Sequence, residues 1–467
     1  MGTETLGIAE VAPTVPALVR RLPEWLTPMR ALAGVADAPH TVLFESLGDA
    51  SPSSEWTLLA FDPAWRLEVR DGALWHVRDG ARRRWPGTPL EALAAAWPAP
   101  VAIIDAPPLP FRGGLAGMIA YDLKDWIERY PQRARRERPT PDLSLGFYDV
   151  VWGWSRSTGE GWCVATGLSE AEPRRRAWRA QDSMEAQWEQ VVAGARRDPA
   201  PGPDATLWRA PNIRSNFTRA GYHRMVETAL EHIGAGDIYQ VNLSQRFLAD
   251  PAPPPLALYR SLRHVAPAPF AAYLTLDSEA ILSSSPERFF RVRGSSIETW
   301  PIKGTRPRGA IPEQDAALRE ELRRSEKDRA ENVMIVDLER NDLGKVCRTG
   351  SVAVPELCAI ASHSNVHHFE SRVIGTLRDE ITPAAILRAM LPGGSITGTP
   401  KIRSVQIIDA LEPVRRGVYT GALGYWDVGG DCDWNIAIRT ITTGGGTASF
   451  HAGGGIVADS TPEGEYE

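Results

Sequence analysis

The apolar positions of the first 170 residues come in short runs that are separated by turn-forming residues. Examples are HTVLFESLGD, WTLLAFDPAWRLEVRDGALWHVRDG and LGFYDVVWGWSRSTGEGWCVATG. Short apolar runs bounded by Gly, Asp and Ser are typical of β-strands joined by tight turns. We therefore predict that residues 1–170 form an N-terminal domain built mainly of antiparallel sheet.

The period of the apolar positions changes after residue 170. EAEPRRRAWRAQDSMEAQWEQVVAGARR has helical spacing and is followed by the Pro/Gly-rich DPAPGPDAT, so residues 171–212 are predicted to be a helix and a linker. Residues 213–467 mix helical segments such as TRAGYHRMVETALEHIGAGD and PPPLALYRSLRHVA with strand-like IYQVNLSQRFL. The predicted fold class is α+β, with large, mixed and mainly antiparallel sheets in a β-sandwich-like arrangement flanked by helices.

Composition then narrows the function classes. The chain has 467 residues, 43% of them hydrophobic, and a formal charge of -6, which gives no basic footprint for nucleic acid. It contains neither a signal-like N-terminus nor about 18 consecutive apolar residues, so we expect no membrane span and no export. Four scattered cysteines without C-x-x-C spacing predict a cytoplasmic protein without a zinc site or disulfide framework.

The segment RFFRVRGSSIETWPIKGT contains two strand-like runs joined by Gly-Ser-Ser at 294–296, which is suited to a hairpin loop. If all three residues form the loop, Arg293 pairs with Ile297. Continuing that ladder places Glu287 opposite Lys303 on the same face. A two-residue loop would shift the register by one and leave Glu287 and Lys303 diagonal or on opposite faces.

Two interpretations of Glu287 and Lys303 follow. They can be an exposed cross-strand ion pair, which would contribute little stability. Alternatively, they form a substitution centre, because a lysine amine removed from water can act as a nucleophile and a carboxyl group can protonate a departing hydroxyl. Lys303 precedes Gly304, which lets another group approach the backbone closely, and this favours a site.

A second candidate lies in LRRSEKDRAENVMIVDLERNDLGKVC, a predicted helix in which Asp328 and Glu331 share a face. The face can simply be solvated, with its acids neutralised by nearby Arg324, Lys327 and Arg329. The functional alternative is Mg²⁺, which prefers a few carboxylate oxygens together with water and substrate oxygens. Further carboxylates can come from the C-terminal FHAGGGIVADSTPEGEYE, whose three glycines can also offer backbone N–H groups to an anion.

Eight stretches in the second half, taken in order, resemble the chorismate-utilising enzymes, a family that includes anthranilate synthase component I, aminodeoxychorismate synthase component I, isochorismate synthase and salicylate synthase. The stretches are GDIYQVNLSQRF, SSSPERF, PIKGTRPRG, DRAENVMIVDLERNDLGKVC, LPGGSITGTPK, YTGALGYW, NIAIRT and HAGGGIVADSTPEGEYE. LFESLGD and FRGGLAGMIAYDL resemble the family's N-terminal domain more loosely. The resemblance implies an anthranilate synthase component I-like fold and chorismate as substrate.

The resemblance also implies a Mg²⁺ site. Glu331 matches a principal metal ligand and Asp328 matches its partner, although many relatives have Glu at the position of Asp328. Glu465 matches the first member of a C-terminal Glu-x-x-Glu pair. The second member would fall one position beyond Glu467, so we expect a truncated terminus or a further tail.

Substrate contacts are implied in the same way. Arg439 matches the arginine that binds a substrate carboxylate, which suits the two-pronged guanidinium. Tyr425 is expected to offer its hydroxyl to the same ligand. The other positions that the resemblance places at the substrate are Gly304, Thr305, His368, Gly453, Gly454 and Gly455.

Two positions separate the members of the family. Isochorismate and salicylate synthases have a lysine where this chain has Gln240, so addition of water at C2 is disfavoured. Anthranilate synthases usually read PIAGT, whereas aminodeoxychorismate synthases read PIKGT, so Lys303 favours amination at C4. The implied mechanism uses Lys303 as the C2 nucleophile and Glu287 as the general acid and base.

The resemblance implies partners as well. No glutaminase nucleophile motif is visible, so ammonia is expected from glutamine through a separate amidotransferase subunit. LFESLGD resembles a tryptophan-binding segment, with Glu45 and Ser46 as its lining, although a strand end with a polar turn explains it equally well. Two alternatives stay open: anthranilate synthase component I, and a non-catalytic tryptophan-binding regulatory subunit. Folate synthesis and specialised metabolism also remain open as the destination of the product.

Overall fold

The structure is a computed structural model of the chain, and it describes residues 13–48, 55–197, 212–362 and 366–467. Its strands are β1 Thr14–Pro16, β2 Leu18–Arg21, β3 Val42–Glu45, β4 Trp56–Ala60, β5 Trp65–Arg70, β6 Ala73–Arg78, β7 Ala81–Arg84, β8 Ala102–Ile104, β9 Gly114–Ile119, β10 Leu143–Tyr148, β11 Val150–Ser155, β12 Gly161–Ala165, β13 Asn212–Ser215, β14 Gln240–Asp250, β15 Phe270–Thr275, β16 Glu279–Ser285, β17 Arg288–Arg293, β18 Ser296–Trp300, β19 Ile302–Pro307, β20 Ala353–Ser362, β21 Val366–Thr376, β22 Gly398–Thr399, β23 Ala422–Asp427, β24 Cys432–Ile436, β25 Thr440–Gly444 and β26 Thr447–Ile456.

The helices are α1 Pro28–Ala33, α2 Pro89–Ala96, α3 Pro173–Ala195, α4 Arg219–Gly234, α5 Pro255–Val265, α6 Pro312–Arg324, α7 Glu326–Gly344, α8 Pro383–Met390, α9 Lys401–Leu411 and α10 Pro462–Tyr466, with 3₁₀ turns at Tyr121–Trp126 and Gly394–Ile396. The helices predicted around α3, α4 and α5 are present. Side-chain caps explain two of these starts, because Glu172 accepts N–H groups of α3 and Thr218 accepts the Gly221 N–H of α4.

Two 12-stranded sheets form the body of the protein. The first has the order β19-β21-β18-β17-β24-β23-β9-β10-β5-β6-β7, with β20 also on β21. The second has the order β13-β14-β26-β25-β16-β15-β3-β4-β11-β12-β2, with β22 on β14. The pairings within both large sheets are antiparallel, and β1 and β8 form a small parallel pair beside them. The α+β fold with large, mainly antiparallel sheets is therefore confirmed.

One apolar core lies between the two sheets and combines side chains of both, such as Met118 and Leu423 from the first and Leu58 and Leu274 from the second. The outer face of the first sheet packs on α2, α7 and α8, and that of the second packs on α1, α3 and α5. The sheets thus form a sandwich with helices outside, as the alternating apolar pattern of the strands requires.

Each large sheet contains strands that precede residue 212 in the sequence and strands that follow it. In the first sheet β23 pairs with β9, and in the second β15 pairs with β3. The division of the chain into 1–170, 171–212 and 213–467 stays a prediction, and the hydrogen-bonded layers themselves continue across it.

The hairpin between β17 and β18 has the two-residue loop, so of the two registers considered from the sequence the three-residue one is excluded. Arg293 pairs with Ser296 instead of Ile297, and Gly294 takes a φ of 56°. Left-handed backbone at the first loop position is favourable for glycine and suits a two-residue turn. A register shift between Arg288 and Arg291 displaces the ladder further, so Glu287 and Lys303 are not directly opposed.

All four cysteines are free thiols with buried side chains. Cys163 and Cys432 lie on β12 and β24, one in each large sheet.

In the described part of the chain, no helix combines the length and the apolar character that crossing a bilayer requires.

Candidate active site

Lys303 lies on β19, which continues the line of β18 along one side of β21. Pro301 separates the two strands, and its carbonyl still accepts the Ser371 N–H from β21 at 3.1 Å. Pro301 has no N–H of its own, which explains why the regular ladder is interrupted there. Lys303 then pairs with Phe369 of β21, and Glu287 stands just before β17.

Glu287 is held near Lys303 by this arrangement even though the two are not cross-strand partners. Its carboxyl accepts the Ile302 N–H and the Ser395 hydroxyl, and the charge of Lys303 acts on it. Burial outweighs these favourable contacts and raises the pKa of Glu287 to about 7. A carboxyl group with that pKa carries a proton for a large share of the time at neutral pH, as a general acid must.

The pKa of Lys303 is shifted in the opposite direction to that of Glu287. Removal from water lowers the pKa of its ammonium group, although the charges of Glu287 and Glu331 oppose that shift. The interpretation as an exposed surface ion pair therefore does not hold, because Glu287 is buried and Lys303 is partly buried. The geometry brings together a lysine with a lowered pKa and a carboxyl group with a raised one.

The next strand position allows helix α7 to approach β19 closely. Gly304 has a φ of 73°, and a Cβ atom there would lie 2.9 Å from the Asp328 Cβ. Only glycine satisfies both the backbone angle and the space. Thr305 follows, and its hydroxyl lies 2.8 Å from Nδ1 of the buried His368 on β21. Gly304, Thr305 and His368 therefore lie together beside Lys303, and their contact with a substrate stays a prediction.

Glu331 on α7 is the acidic residue best placed to hold a cation. It is partly buried, and its side chain has no hydrogen-bond or ion-pair partner among the described residues. Burial raises its pKa against the opposing charges of Lys303 and Lys327, and the nearby charges of Asp328 and Glu465 add to the rise. A desolvated carboxylate beside two others is stabilised by a hard cation such as Mg²⁺.

Asp328 and Glu465 fit a metal less directly. Asp328 forms an ion pair with Arg306 at 3.1 Å, and Glu465 accepts the Ser460 hydroxyl at 2.6 Å. With Glu331 they do not bring three ligand atoms within 4.8 Å of one another. The one group in the described residues that meets this distance is His40, Glu68 and Asp277, in which Arg66 already pairs with both carboxylates.

The three predicted glycines, Gly453, Gly454 and Gly455, lie side by side on β26. Gly453 and Gly454 pair with Ser244 and Leu243 of β14, and a side chain at Gly454 would approach the Glu465 carboxylate to 3.1 Å. The C-terminal helix α10 thus places Glu465 against the glycine strand. Gly455 is the neighbour of the buried Gln240, whose Oε1 has no hydrogen-bond partner in the described structure.

Arg439 stands in the connection between β24 and β25, where the chain passes from the first sheet to the second. Its φ is 49°, and its guanidinium has no hydrogen-bond or ion-pair partner in the described residues. Partial removal from water lowers its pKa, with no acidic neighbour to oppose the shift. An unpaired guanidinium of this kind suits a carboxylate ligand.

Tyr425 does not fit the predicted role in substrate binding. It points between the two sheets, packs against Phe44 and Phe111, and shares a hydrogen bond with Arg293. Residues alternate between faces along a strand, and this tyrosine falls on the inward face of β23. Burial raises the pKa of its hydroxyl, so it stays neutral.

Tyr425 lines a separate interior cavity of about 410 Å³ together with Glu45 and Ser46. The Glu45 carboxylate itself is bonded on the α5 side of the second sheet, where it accepts hydrogen bonds from the Tyr259 hydroxyl and the Arg263 guanidinium. The cavity is lined by none of the residues that surround Lys303.

The sequence did not single out Ser395 or Glu339. Ser395 donates to Glu287 from the 3₁₀ turn Gly394–Ile396, and Glu339 accepts the Gly394 N–H from α7 at 3.0 Å. The signal for Ser395 is a serine among glycines in LPGGSITGTPK, and the signal for Glu339 is an acid at helical spacing from the apolar Ile335, Val336 and Leu343 of α7.

Comparison of the chain with known proteins identifies its family. A family model described as chorismate binding enzyme matches residues 40–467. The aminodeoxychorismate synthase component 1 of Klebsiella aerogenes is 43% identical over 77% of this chain and 76% of its own length. The aminodeoxychorismate synthase of Streptomyces griseus is 40% identical over 90% of this chain, which spans only 56% of that longer protein.

Solved structures agree on the fold. The crystal structure of anthranilate synthase component I from Streptococcus pneumoniae TIGR4 superposes with a TM-score of 0.77 at 32% identity, over 90% of this chain and 91% of that one. The family match, the identity to these relatives and the shared fold lead to one conclusion: the chain belongs to the chorismate-binding enzymes.

Proposed function

We propose that this chain converts chorismate and ammonia into 4-amino-4-deoxychorismate, as an aminodeoxychorismate synthase. The observation that supports this most is Lys303, a desolvated amine with a lowered pKa beside Glu287, whose pKa is raised to about 7. The name of the Klebsiella aerogenes relative agrees with this activity. A nucleophilic amine at this point offers a route to exchange at C4 that an alanine could not provide.

The reaction proceeds in two displacements. The Lys303 amine attacks C2 of chorismate, the diene electrons shift around the ring towards C4, and the C4 hydroxyl leaves as water with a proton from Glu287. Ammonia then attacks C4, the electrons return, and the bond between C2 and the Lys303 nitrogen breaks. The proton lost by the incoming nitrogen returns to Glu287, so one ammonia is consumed and one water is released.

Arg439 and the loop at Gly304 orient the substrate in this scheme. Arg439 binds a carboxylate of chorismate, and Gly304, Thr305 and His368 border the ring. Two further residues, Glu331 and Glu465, would hold Mg²⁺, with Asp328 nearby, and the ion would bind a substrate carboxylate and neutralise its charge. Glu331 suits this role because it is partly buried and the charges of Asp328 and Glu465 act on it, so a cation would stabilise its ionised form.

Ammonia is supplied by a separate glutamine amidotransferase subunit in this proposal. Relatives carry the name component 1, which implies a second component.

We also propose that the interior cavity with Glu45 and Ser46 binds tryptophan, and that the protein works in the cytoplasm. Tryptophan binding is tested by calorimetric titration of the wild type and of Ser46→Trp, in which the side chain fills the cavity.

The test of the main proposal is incubation of the protein with chorismate, Mg²⁺ and an ammonium salt, followed by identification of the product. We expect 4-amino-4-deoxychorismate from the wild type and a loss of at least about a thousandfold in rate for Lys303→Ala. Lys345→Ala, which removes an exposed lysine on the outer end of α7, is the matched control. Full amination at C4 by Lys303→Ala would exclude the covalent route.

Anthranilate synthase is the second candidate, because the Streptococcus pneumoniae structure that superposes on this chain has that name. The same incubation separates the two functions. Anthranilate synthesis would release pyruvate and a fluorescent aromatic product. Tryptophan binding without any turnover of chorismate would instead indicate a regulatory subunit.

A further inference from the structure

Glu339 is a buried carboxyl group on α7 that the proposed reaction does not use. It lies two turns beyond Glu331 along the helix and is only 3% exposed. Its Oε1 accepts the Gly394 N–H at 3.0 Å, and its Oε2 is buried without a hydrogen-bond partner in the described structure. A buried polar atom without a partner is costly, so its retention calls for a reason.

The bond to Gly394 connects Glu339 to the proposed proton donor. Gly394 begins the 3₁₀ turn Gly394–Ile396, and the next residue, Ser395, donates its hydroxyl to Glu287. The turn is buried throughout. Glu339 and Glu287 are therefore linked through two hydrogen bonds and one short rigid segment.

Burial and the charges around Glu339 act on the pKa of its carboxyl group. Asp342 approaches from the same helix and Glu287 from the start of β17, and both disfavour a negative charge, whereas Lys401 from α9 favours it. Lys401 is already bonded to Asp342, which weakens its effect on Glu339. Burial, together with the charges of Asp342 and Glu287, raises the pKa of Glu339 well above its usual range.

We propose that Glu339 is a positioning residue for Glu287: it holds the turn Gly394–Ile396 in place, so that Ser395 keeps its hydrogen bond to the Glu287 carboxyl. The inference rests on the proposed function, because it assumes that Glu287 delivers a proton. Glu339 itself touches neither the substrate nor the reacting atoms in this scheme.

The direction of the pH effect follows from the bonds. Ser395 donates to the charged form of Glu287 and so opposes the rise in the pKa of Glu287 that burial causes. The other charged groups that act on Glu287 are Lys303 from β19 and Glu370 from β21. A loosened turn would weaken the Ser395 bond and raise the pKa of Glu287 further.

The experiment compares Glu339→Leu with the wild type, using chorismate and an ammonium salt across a pH series. We expect kcat to fall about tenfold and KM for chorismate to change less than about twofold, because the lost bond acts on the proton donor and not on binding. The alkaline limb of the kcat profile should move to higher pH. Glu339→Gln keeps an oxygen for the Gly394 N–H and should recover most of kcat.

Ser395→Ala provides the independent test, because it removes the same hydrogen bond to Glu287 without changing α7. It should shift the alkaline limb in the same direction, and adding Glu339→Leu to it should cause little further loss. Asp337→Asn, at an exposed position on the same helix, is the control variant. Fully additive losses, or an unmoved limb in Glu339→Leu, would overturn the inference.

The two proposals fail in different ways. If the wild type aminates chorismate while Glu339→Leu matches it in kcat and pH profile, only the role of Glu339 is refuted. If the wild type does not turn over chorismate at all, the proposed function is refuted and the role of Glu339 is refuted with it.

Discussion

Burial lowers the pKa of Lys303 and raises the pKa of Glu287. Both shifts favour the uncharged form of the group. The proposed reaction needs both forms at once, a free amine for attack and a protonated carboxyl for departure. In rate measurements across a pH series, we expect the need for a free Lys303 amine to make activity rise with pH, and the need for a protonated Glu287 to make it fall with pH.

Glu287 should also make stability depend on pH. Its pKa rises from the ordinary 4.5 to about 7 in the folded chain, so between these values the folded state keeps a proton that the unfolded state releases. The free energy of unfolding of the wild type therefore falls as pH rises through this window. Glu287→Gln has no such proton, so its stability relative to the wild type should increase by about 1–3 kcal/mol between about pH 5 and about pH 8.

Urea denaturation of both proteins at the two pH values measures this difference. Glu91→Gln is a suitable control, because Glu91 caps an exposed helix start and lies outside the core. A relative stability that stays constant with pH would mean that Glu287 titrates like an exposed carboxyl.

At the scale of elements, the sequence predicted what local chemistry determines. Helix α4 could be located because its apolar residues have a helical period and Thr218 precedes it as a cap. The hairpin at Gly294 could not be assigned one register, because Gly-Ser-Ser is compatible with loops of two or three residues. The register shift between Arg288 and Arg291 has no local signal at all.

The candidate site shows the same limit. Lys303, Gly304 and Glu331 were found from motifs that are continuous in sequence. Tyr425 was placed wrongly because the face on which it lies depends on how β23 pairs with β9, a strand about 300 residues earlier. Non-local pairing of this kind decides which alternate positions of a strand point between the sheets.

The glycine strand β26 offers a test at this scale. A Cβ atom at Gly453 would lie 1.9 Å from the Leu243 carbonyl oxygen of β14, and backbone cannot move aside cheaply. We expect Gly453→Ala to lower the free energy of unfolding by about 2–4 kcal/mol and to reduce activity strongly. Gly234→Ala, at the end of α4 where nothing lies within 4 Å, should be neutral or slightly stabilising. Thermal unfolding of both variants makes the comparison, and equal melting temperatures would contradict it.

At the scale of the whole molecule, both large sheets contain strands from each half of the chain. Residues 212–467 alone would leave β23 without β9 and β15 without β3, which exposes two strand edges and the core between the sheets. Exposed strand edges and apolar surface favour aggregation. The two halves should therefore not be independent in solution.

Expression of the fragments tests this expectation. We expect residues 212–467 to be insoluble when produced alone and to be recovered in soluble form when produced together with residues 13–197. Size-exclusion chromatography of the co-produced fragments should show one complex. A soluble fragment 212–467 with a cooperative unfolding transition would instead support a self-sufficient C-terminal domain.

The four buried thiols can report local opening of the structure, because a thiol reagent reaches them only when the surrounding layer opens. Cys163 lies in one large sheet and Cys432 in the other, and burial raises the pKa of both, so neither reacts while its sheet is closed. The rate at which a thiol reagent labels each one is then the rate or frequency at which that layer opens. Mass spectrometry of the labelled peptides would show whether the two layers open together or one at a time.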